Sequence, residues 1–152
     1  MNLSPERCRE LLDARLQEWI RPIPFRSLKD PLSSLLAGGK RVRPLVTLLS
    51  CAASGGKAED AVDAALAVEL LHAASLVHDD VMDHASLRRG RPTVHKAYGT
   101  SAALLCGDYL VALAYRCMLE TPAAAREKAL GLMTSTYRTL CEGQALEEEV
   151  NG

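Results

Sequence analysis

The fold is decided by the stretch Ala58–His84, which has the sequence AEDAVDAALAVELLHAASLVHDDVMDH. Its apolar residues occupy nearly all sides of a helix, which predicts a central helix buried by its neighbours. Near its end, Asp79 and Asp83 are four residues apart and therefore share one helix face, about 40° out of alignment. His72 lies two turns earlier on the same stripe, whereas Asp80 points roughly 100° away. Two carboxylates on a buried stripe need a counter-charge, and a hard divalent cation such as Mg²⁺ is the expected one.

The composition indicates an all-α protein. The 152 residues include 25 Leu and 22 Ala but only 9 Val and 2 Ile, and aromatic residues make up 4% of the chain. Leu and Ala favour helices, whereas strands favour β-branched and aromatic residues. The length suits one hydrophobic core, so we expect residues 1–152 to form a single domain.

Charge and cysteine usage exclude several classes of protein. A net charge of −1 gives no electrostatic basis for binding nucleic acid or an anionic membrane. The five cysteines are scattered without a CxxC pair and mostly lie among Leu and Ala, so we expect reduced core residues in a cytoplasmic protein. The sequence has neither a signal-peptide pattern nor an uncharged apolar run long enough to span a bilayer, so we expect no stable membrane anchoring.

Start and stop signals divide the chain into six predicted helices and no strand. The helices cover about residues 5–20, 31–37, 44–54, 58–84, 101–120 and 122–150, and a basic loop occupies residues 87–92. The last helix carries apolar residues that need a partner surface, namely Leu130, Met133, Tyr137, Leu140 and Ala145. Either another subunit or a further part of a larger domain is expected to cover them.

Two basic clusters flank the long helix in the sequence. In the first, GGKRVRP at 38–44, the glycines permit close backbone approach, and Lys40 and Arg43 can converge on a polyanion. The second, LRRGRP at 87–92, begins four residues after Asp83. Each cluster alone is typical of a solvated basic turn. Together with the carboxylates they predict a site for a phosphorylated substrate, with Mg²⁺ held by carboxylates and phosphate oxygens. A GxxxxGK[ST] nucleotide loop does not occur in the sequence.

These motifs resemble those of the trans-isoprenyl diphosphate synthase family. Residues 38–44 resemble its GGKRxRP motif, residues 79–83 its first aspartate-rich motif, DDxxD, and residues 88–93 its RRGxPT motif. Residues 107–110 are similar to its GDxL motif, and residues 142–144 to a helix near the middle of its fold. Agreement in order and spacing makes the resemblance specific, and it implies a helical bundle of the isoprenoid synthase type.

The resemblance implies a prenyltransferase that condenses an allylic diphosphate with isopentenyl diphosphate to form an all-trans polyprenyl diphosphate. The allylic diphosphate ionises with Mg²⁺ on its leaving group, the allylic cation alkylates the double bond of isopentenyl diphosphate, and a proton is lost. Diphosphate leaves only when its developing charge is neutralised, which agrees with a site rich in metal ligands and cations.

Matching of motifs implies a role for each candidate residue. Asp79 and Asp83 bind Mg²⁺ that bridges to the allylic diphosphate, Asp80 assists from the flank, and Arg88 contacts that diphosphate. The residues implied to hold isopentenyl diphosphate are Lys40, Arg43, His72 and Arg89. Without the resemblance, His72 on an apolar helix would be interpreted as a core histidine, and that interpretation is kept for His78, His84 and His95.

Two small residues, Ala74 and Ser75, bear on the length of the product. In the family, the positions one turn before the aspartates wall the pocket for the growing chain, and bulky aromatic residues there stop elongation early. Here these positions are Ala74 and Ser75, which implies an open tunnel and a product longer than farnesyl. The alternative is that small residues merely permit close packing of helices.

The sequence departs from the family after Asp83. Family members carry a second aspartate-rich motif on a later helix, whereas the acidic run Glu147–Glu149 is a poor substitute. We therefore expect the N-terminal portion of a synthase domain, inactive by itself. Two alternatives remain: a non-catalytic or complementing subunit of a heteromeric synthase, and a class I terpene cyclase. The intact aspartates and arginines disfavour the first, and the motif at 38–44 disfavours the second, since cyclases bind no second diphosphate. A homodimer or association with a complementary chain is expected in either prenyl synthase case.

Overall fold

The computed structural model describes residues 4–37 and 39–151, and it confirms the all-α class. Seven α-helices occur in this part of the chain: α1 (Pro5–Ile20), α2 (Arg26–Leu36), α3 (Val42–Ala53), α4 (Val62–Met82), α5 (Val94–Tyr98), α6 (Thr100–Leu119) and α7 (Ala123–Asn151). A 3₁₀ turn at Ala58–Ala61 precedes α4, and a small hairpin of β1 (Leu87–Arg88) and β2 (Arg91–Pro92) follows it.

Helix α4 is the centre of the fold, as its apolar sequence predicts. It packs along α6 and also contacts α1, α3 and α5. Alanines make up much of the buried side of α4. The buried residues of α6 include small ones, among them Ala103, Cys106 and Gly107. Small side chains let the two helix axes approach closely, so this pair forms the centre of the core.

Helix α2 begins earlier than predicted. Proline favours the first helical turn, so the sequence predicted a start at Pro31, but the helix begins at Arg26 and contains Pro31. The backbone N–H groups of Leu28 and Lys29 both bond to the carbonyl of Phe25, which forms a first turn before the proline. Burial of Pro31, Leu32 and Leu36 against the core stabilises this helix despite the missing amide.

The predicted basic loop is partly a β-hairpin, and the prediction of no strand is wrong there. Leu87 pairs with Pro92 and Arg88 with Arg91, across a two-residue turn of Arg89 and Gly90. Both turn residues have positive φ, 51° and 77°, as turns that match the twist of paired strands require. Asn-Gly is the usual sequence for such turns, so Arg-Gly gave no hairpin signal. The short helix α5 that follows was also not predicted.

The long C-terminal helix is only partly covered. Of the residues predicted to need a partner, Met133 is buried, Leu130 is half-buried against the core, and Tyr137 is half-buried. Beyond them Leu140 is 46% exposed, and Leu146 and Val150 are more exposed still. The first half of α7 therefore belongs to the core, whereas its second half presents apolar side chains to the surface.

All five cysteines are free, and three of them are core residues as expected. Cys8, Cys106 and Cys117 are buried, and burial raises the pKa of Cys106 to about 11 and that of Cys117 to about 12. These thiols are therefore unreactive near neutral pH. Cys51 is half-buried and Cys141 is exposed, so the prediction of a core position holds for only part of the set.

Two helical segments, Ala58–Met82 and Thr100–Leu119, are long and apolar enough to cross a bilayer by length and composition. They are the two central helices, and about half of each apolar window is buried inside the fold, 50% and 44%. Core helices pass the same test, so this feature does not identify a membrane span.

Candidate functional site

A cleft of about 800 Å³ gathers most of the predicted binding residues. Its walls are the end of α2, the segment at 39–43, one face of α4, the hairpin and α5. The predicted residues that line it are Lys40, Arg43, His72, Asp80, Arg88 and Arg89. Gly38, the first residue of the GGKRVRP motif, lies outside the described residues. Asp79 and Asp83 do not line this cleft, so the structure separates the predicted metal ligands from the predicted cation cluster.

Asp80 is engaged by Arg88 rather than free. Asp80 is 4% exposed, and Arg88 Nε donates to both of its carboxylate oxygens, at 2.9 and 3.0 Å. Arg88 Nη2 adds a contact of 2.9 Å to Oδ1. This bidentate pair holds the guanidinium in one orientation and neutralises a carboxylate that the core would otherwise have to desolvate. The geometry makes Asp80 a partner of Arg88, and its assisting role toward a metal stays a prediction.

Arg41, unlike the half-buried Arg88, is a buried arginine, and it is also paired. It is 8% exposed and donates to Glu69 Oε1 at 3.1 Å, Asp13 Oδ1 at 3.3 Å and the Leu36 carbonyl at 2.7 Å. Its backbone is left-handed, with φ of 49°, at the N-terminus of α3. Arg41 thus connects α1, α2 and α4 beneath the segment that carries Lys40 and Arg43.

Four cations of the cleft have no carboxylate partner within the described part of the chain, and one of them was not predicted. These are Lys40, Arg43, Arg89 and Arg91. Arg91 was passed over because it fills the variable position of RRGxPT. The hairpin register places it directly opposite Arg88, on the same face. The pairing of Arg91 with another arginine across the hairpin would have indicated a role in anion binding. That pairing cannot be recognised until the hairpin itself is known.

His72 lies among these cations. Partial burial lowers its pKa, and the nearby Arg43, Arg89 and Arg88 lower it further, while Glu69 opposes them. The imidazole is therefore mainly neutral near pH 7, when it can donate one hydrogen bond and accept one. His72 lines the cleft together with Asp80, whereas Asp79 and Asp83, which the sequence placed on the same stripe as His72, do not.

Asp79 and Asp83 lie at the C-terminal end of α4, the negative end of its dipole. Burial raises the pKa of Asp79, and the neighbouring Asp83 carboxylate raises it further, while Arg88 lowers it. Neither aspartate forms a salt bridge within the described residues. Two unpaired, mutually repelling carboxylates at a negative helix end fit a divalent cation. Groups of three or more potential metal ligands are absent from the described residues, so a bound Mg²⁺ would take the rest of its shell from water or ligand oxygens.

Comparisons with known proteins identify the family. A family model described as polyprenyl synthetase matches residues 25–151. The chain belongs to the polyprenyl synthetase family. It is 40% identical over 140 residues to a short chain isoprenyl diphosphate synthase of Methanothermobacter thermautotrophicus, covering 91% of this chain and 43% of that protein. It is 52% identical over 123 residues to geranylgeranyl pyrophosphate synthase 12, chloroplastic, of Arabidopsis thaliana, covering 74% of this chain and 34% of that protein.

A solved structure agrees with this family. The geranylgeranyl pyrophosphate synthetase of Pyrococcus horikoshii superposes with a TM-score of 0.89 at 40% identity, covering 95% of this chain and 46% of that one. The chain therefore spans less than half the length of the curated relatives it matches.

The GDxL motif of this polyprenyl synthetase chain serves close packing behind the aspartates. A Cβ added at Gly107 would lie 2.0 Å from His78 Nε2, so only glycine leaves room for the imidazole. His78 Nε2 lies 3.5 Å from the Leu104 carbonyl and 3.6 Å from Asp108 Oδ1. His78 therefore has the structural role expected of it, between α4 and α6 beside Asp79.

We predict that Gly107→Ala lowers the free energy of unfolding by about 1–2 kcal/mol, because overpacking outweighs the gain in helix propensity. Adding His78→Ala restores most of the lost stability, because it removes the imidazole that the new Cβ would contact. The matched control is Gly143→Ala in α7, where an added Cβ meets no atom within 4 Å and we expect a gain of up to about 1 kcal/mol. Urea unfolding of the four proteins measures this, and a Gly107→Ala variant as stable as the parent contradicts the close contact.

The two positions expected to govern product length are not equivalent. Ala74 is fully buried in the α4–α6 core, whereas Ser75 is half-buried and bonds through its hydroxyl to the His72 carbonyl. The burial of Ala74 agrees with the alternative considered from the sequence, close packing of helices. Of the two residues, Ser75 is the one with exposed surface, on the side of α4 that carries Asp79.

Proposed function

We propose that the whole protein is a prenyltransferase that condenses an allylic diphosphate with isopentenyl diphosphate to form an all-trans prenyl diphosphate. The observation that carries the proposal is the cleft of about 800 Å³, which is lined by four cations that have no carboxylate partner among the described residues. Such a cluster repels itself unless an anion of several charges occupies it, and a diphosphate ester is such an anion. The family match supports the same class of substrate.

In this proposal the cleft and the Asp79 stripe serve different substrates. Lys40, Arg43 and Arg89 hold isopentenyl diphosphate in the cleft, and His72 donates a hydrogen bond to it. Asp79 and Asp83 hold Mg²⁺, which when bound neutralises charge on the departing diphosphate. Arg88 lies between the two groups and uses the donors that Asp80 leaves free to contact the allylic diphosphate. The two diphosphates are thereby held on opposite sides of Arg88.

The proposed product is of the geranylgeranyl class. Two of the relatives described above are named geranylgeranyl pyrophosphate synthases or synthetases, and one is named a short chain synthase. A geranylgeranyl product is longer than farnesyl, in agreement with small residues before the aspartates. Ser75 is the residue on α4 that we propose to limit the chain, because Ala74 is occupied by helix packing.

A complementing role is the second candidate. The exposed apolar side chains in the second half of α7 favour it. In that case a second chain that carries a second aspartate-rich motif covers α7 and supplies the remaining carboxylates. We place the protein in a reducing compartment such as the cytoplasm, since all five cysteines are free, although some plant relatives are named chloroplastic. The terpene cyclase alternative lacks a use for the cleft cations.

Calorimetric titration of this chain with isopentenyl diphosphate tests the proposal. We expect saturable binding, weakened roughly 100-fold in a Lys40→Ala, Arg43→Ala double variant, because each charge-assisted contact contributes about 1.5 kcal/mol or more. Lys57→Ala, which removes an exposed lysine away from the cleft, is the matched control and is expected to bind like the parent. Binding that is absent in the parent, or equal in the double variant, contradicts the proposed substrate.

A condensation assay with radiolabelled isopentenyl diphosphate and allylic primers of increasing length separates the two candidates. Product formed by this chain alone contradicts the complementing role. Product formed only after a chain carrying a second aspartate-rich motif is added supports it.

A further inference from the structure

Glu69 is a carboxylate inside a cleft proposed to bind anions. It lies on α4 one turn before His72 and lines the cleft together with Lys40 and Arg43. Its side chain is 16% exposed. A free carboxylate here would repel a diphosphate and would compete with it for the same cations.

Arg41 neutralises this carboxylate. The Arg41 guanidinium bonds to Glu69 from below the cleft and is itself held by the Leu36 carbonyl at 2.7 Å and by Asp13. Because Arg41 is 8% exposed, it has little surface with which to reach a ligand. The left-handed backbone at Arg41 is costly for a non-glycine residue, and these bonds hold it in place.

We propose that Arg41 is a positioning residue that sequesters Glu69, so that Lys40 and Arg43 stay free for the diphosphate. This rests on the proposed function and assigns Arg41 a role that differs from that of its two basic neighbours. Arg41 acts on the substrate only through Glu69 and through the segment at 39–43. Without it, the Glu69 carboxylate turns to the nearest cations of the cleft.

A double-mutant series with inorganic diphosphate as the probe distinguishes sequestration from simple structural support. We expect Arg41→Gln to weaken diphosphate binding about tenfold or more, and the Arg41→Gln, Glu69→Gln double variant to return to within about threefold of the parent. Glu69→Gln alone should bind at least as tightly as the parent. The matched control is Asp13→Asn, which touches the same guanidinium from a side chain 49% exposed and should change binding less than about twofold.

A double variant as weak as Arg41→Gln, with circular dichroism unchanged, overturns the proposal, because structural support is not recovered by removing a second partner. If Arg41→Gln does not fold, the Glu69→Gln variant tests the proposal instead. Tenfold weaker diphosphate binding by a folded Glu69→Gln variant also overturns the proposal that Arg41 sequesters Glu69.

A second readout needs no ligand. Proton NMR of the His72 ring should show its pKa rising in Arg41→Gln, as the released Glu69 carboxylate approaches, and returning in the double variant. Failure of the parent to bind diphosphate would count against the proposed function alone, since the His72 titration still decides whether Arg41 restrains Glu69. An unchanged His72 titration in Arg41→Gln contradicts the inference.

Discussion

An Asp79→Asn, Asp83→Asn double variant is expected to lose Mg²⁺-dependent binding of an allylic diphosphate, by at least about 100-fold in affinity. The two carboxylates lie together at the negative end of α4, and neither has a cationic partner in a salt bridge within the described residues. Asparagine keeps the shape of each side chain and removes the charge that a hard divalent cation requires. Helicity should not change, because both residues lie at the surface end of the helix.

The measurement is calorimetric titration with a non-hydrolysable allylic diphosphate, with Mg²⁺ present and with the metal chelated. Asp60→Asn, an exposed carboxylate in the 3₁₀ turn before α4, is the matched control and should behave like the parent. If the double variant keeps the Mg²⁺ dependence of the parent, these aspartates do not hold the metal.

Arg88→Ala is expected to lower the free energy of unfolding by about 3–5 kcal/mol and to weaken diphosphate binding as well. Removal of the guanidinium leaves the Asp80 carboxylate without its partner. This carboxylate is 4% exposed and accepts hydrogen bonds from Arg88 at both of its oxygens. A buried charge without a partner costs far more than the pair contributes, which is why one substitution has so large an effect. In urea the midpoint should fall by more than about 1 M.

An Asp80→Leu, Arg88→Met double variant separates the two effects. It should regain most of the lost stability, since an apolar pair replaces a buried ion pair at little cost, but it should not regain diphosphate binding. Arg91→Ala is the control from the opposite strand of the hairpin: Arg91 is exposed and forms no salt bridge with any described residue, so we expect a change within about 0.5 kcal/mol. Stability of Arg88→Ala within 1 kcal/mol of the parent would contradict the role of the pair.

Much of the fold follows from local patterns in the sequence. The Ser4-Pro5 start, the glycines at 55–56 and the apolar stretch before Asp79 predicted α1, the end of α3 and the central α4, because helix ends and periodicity depend on neighbouring residues. The errors lie where tertiary contacts override local preference. Pro31 predicted a helix start, yet burial extends α2 five residues before it. The hairpin at Leu87–Pro92 depends on left-handed backbone at an arginine, which no propensity favours.

The sequence by itself determined the helical class, the family and the order of the charged motifs, because these depend only on which residues occur and on their spacing along the chain. Only the tertiary structure decided which charges are free. Arg41 and Arg88 look like the other cations in the sequence, but Glu69 and Asp80 pair with them, across 28 and 8 residues respectively. Arg91 becomes part of the cleft only through its register opposite Arg88. Pairing in a buried site depends on distance and desolvation in three dimensions, and motif spacing contains neither.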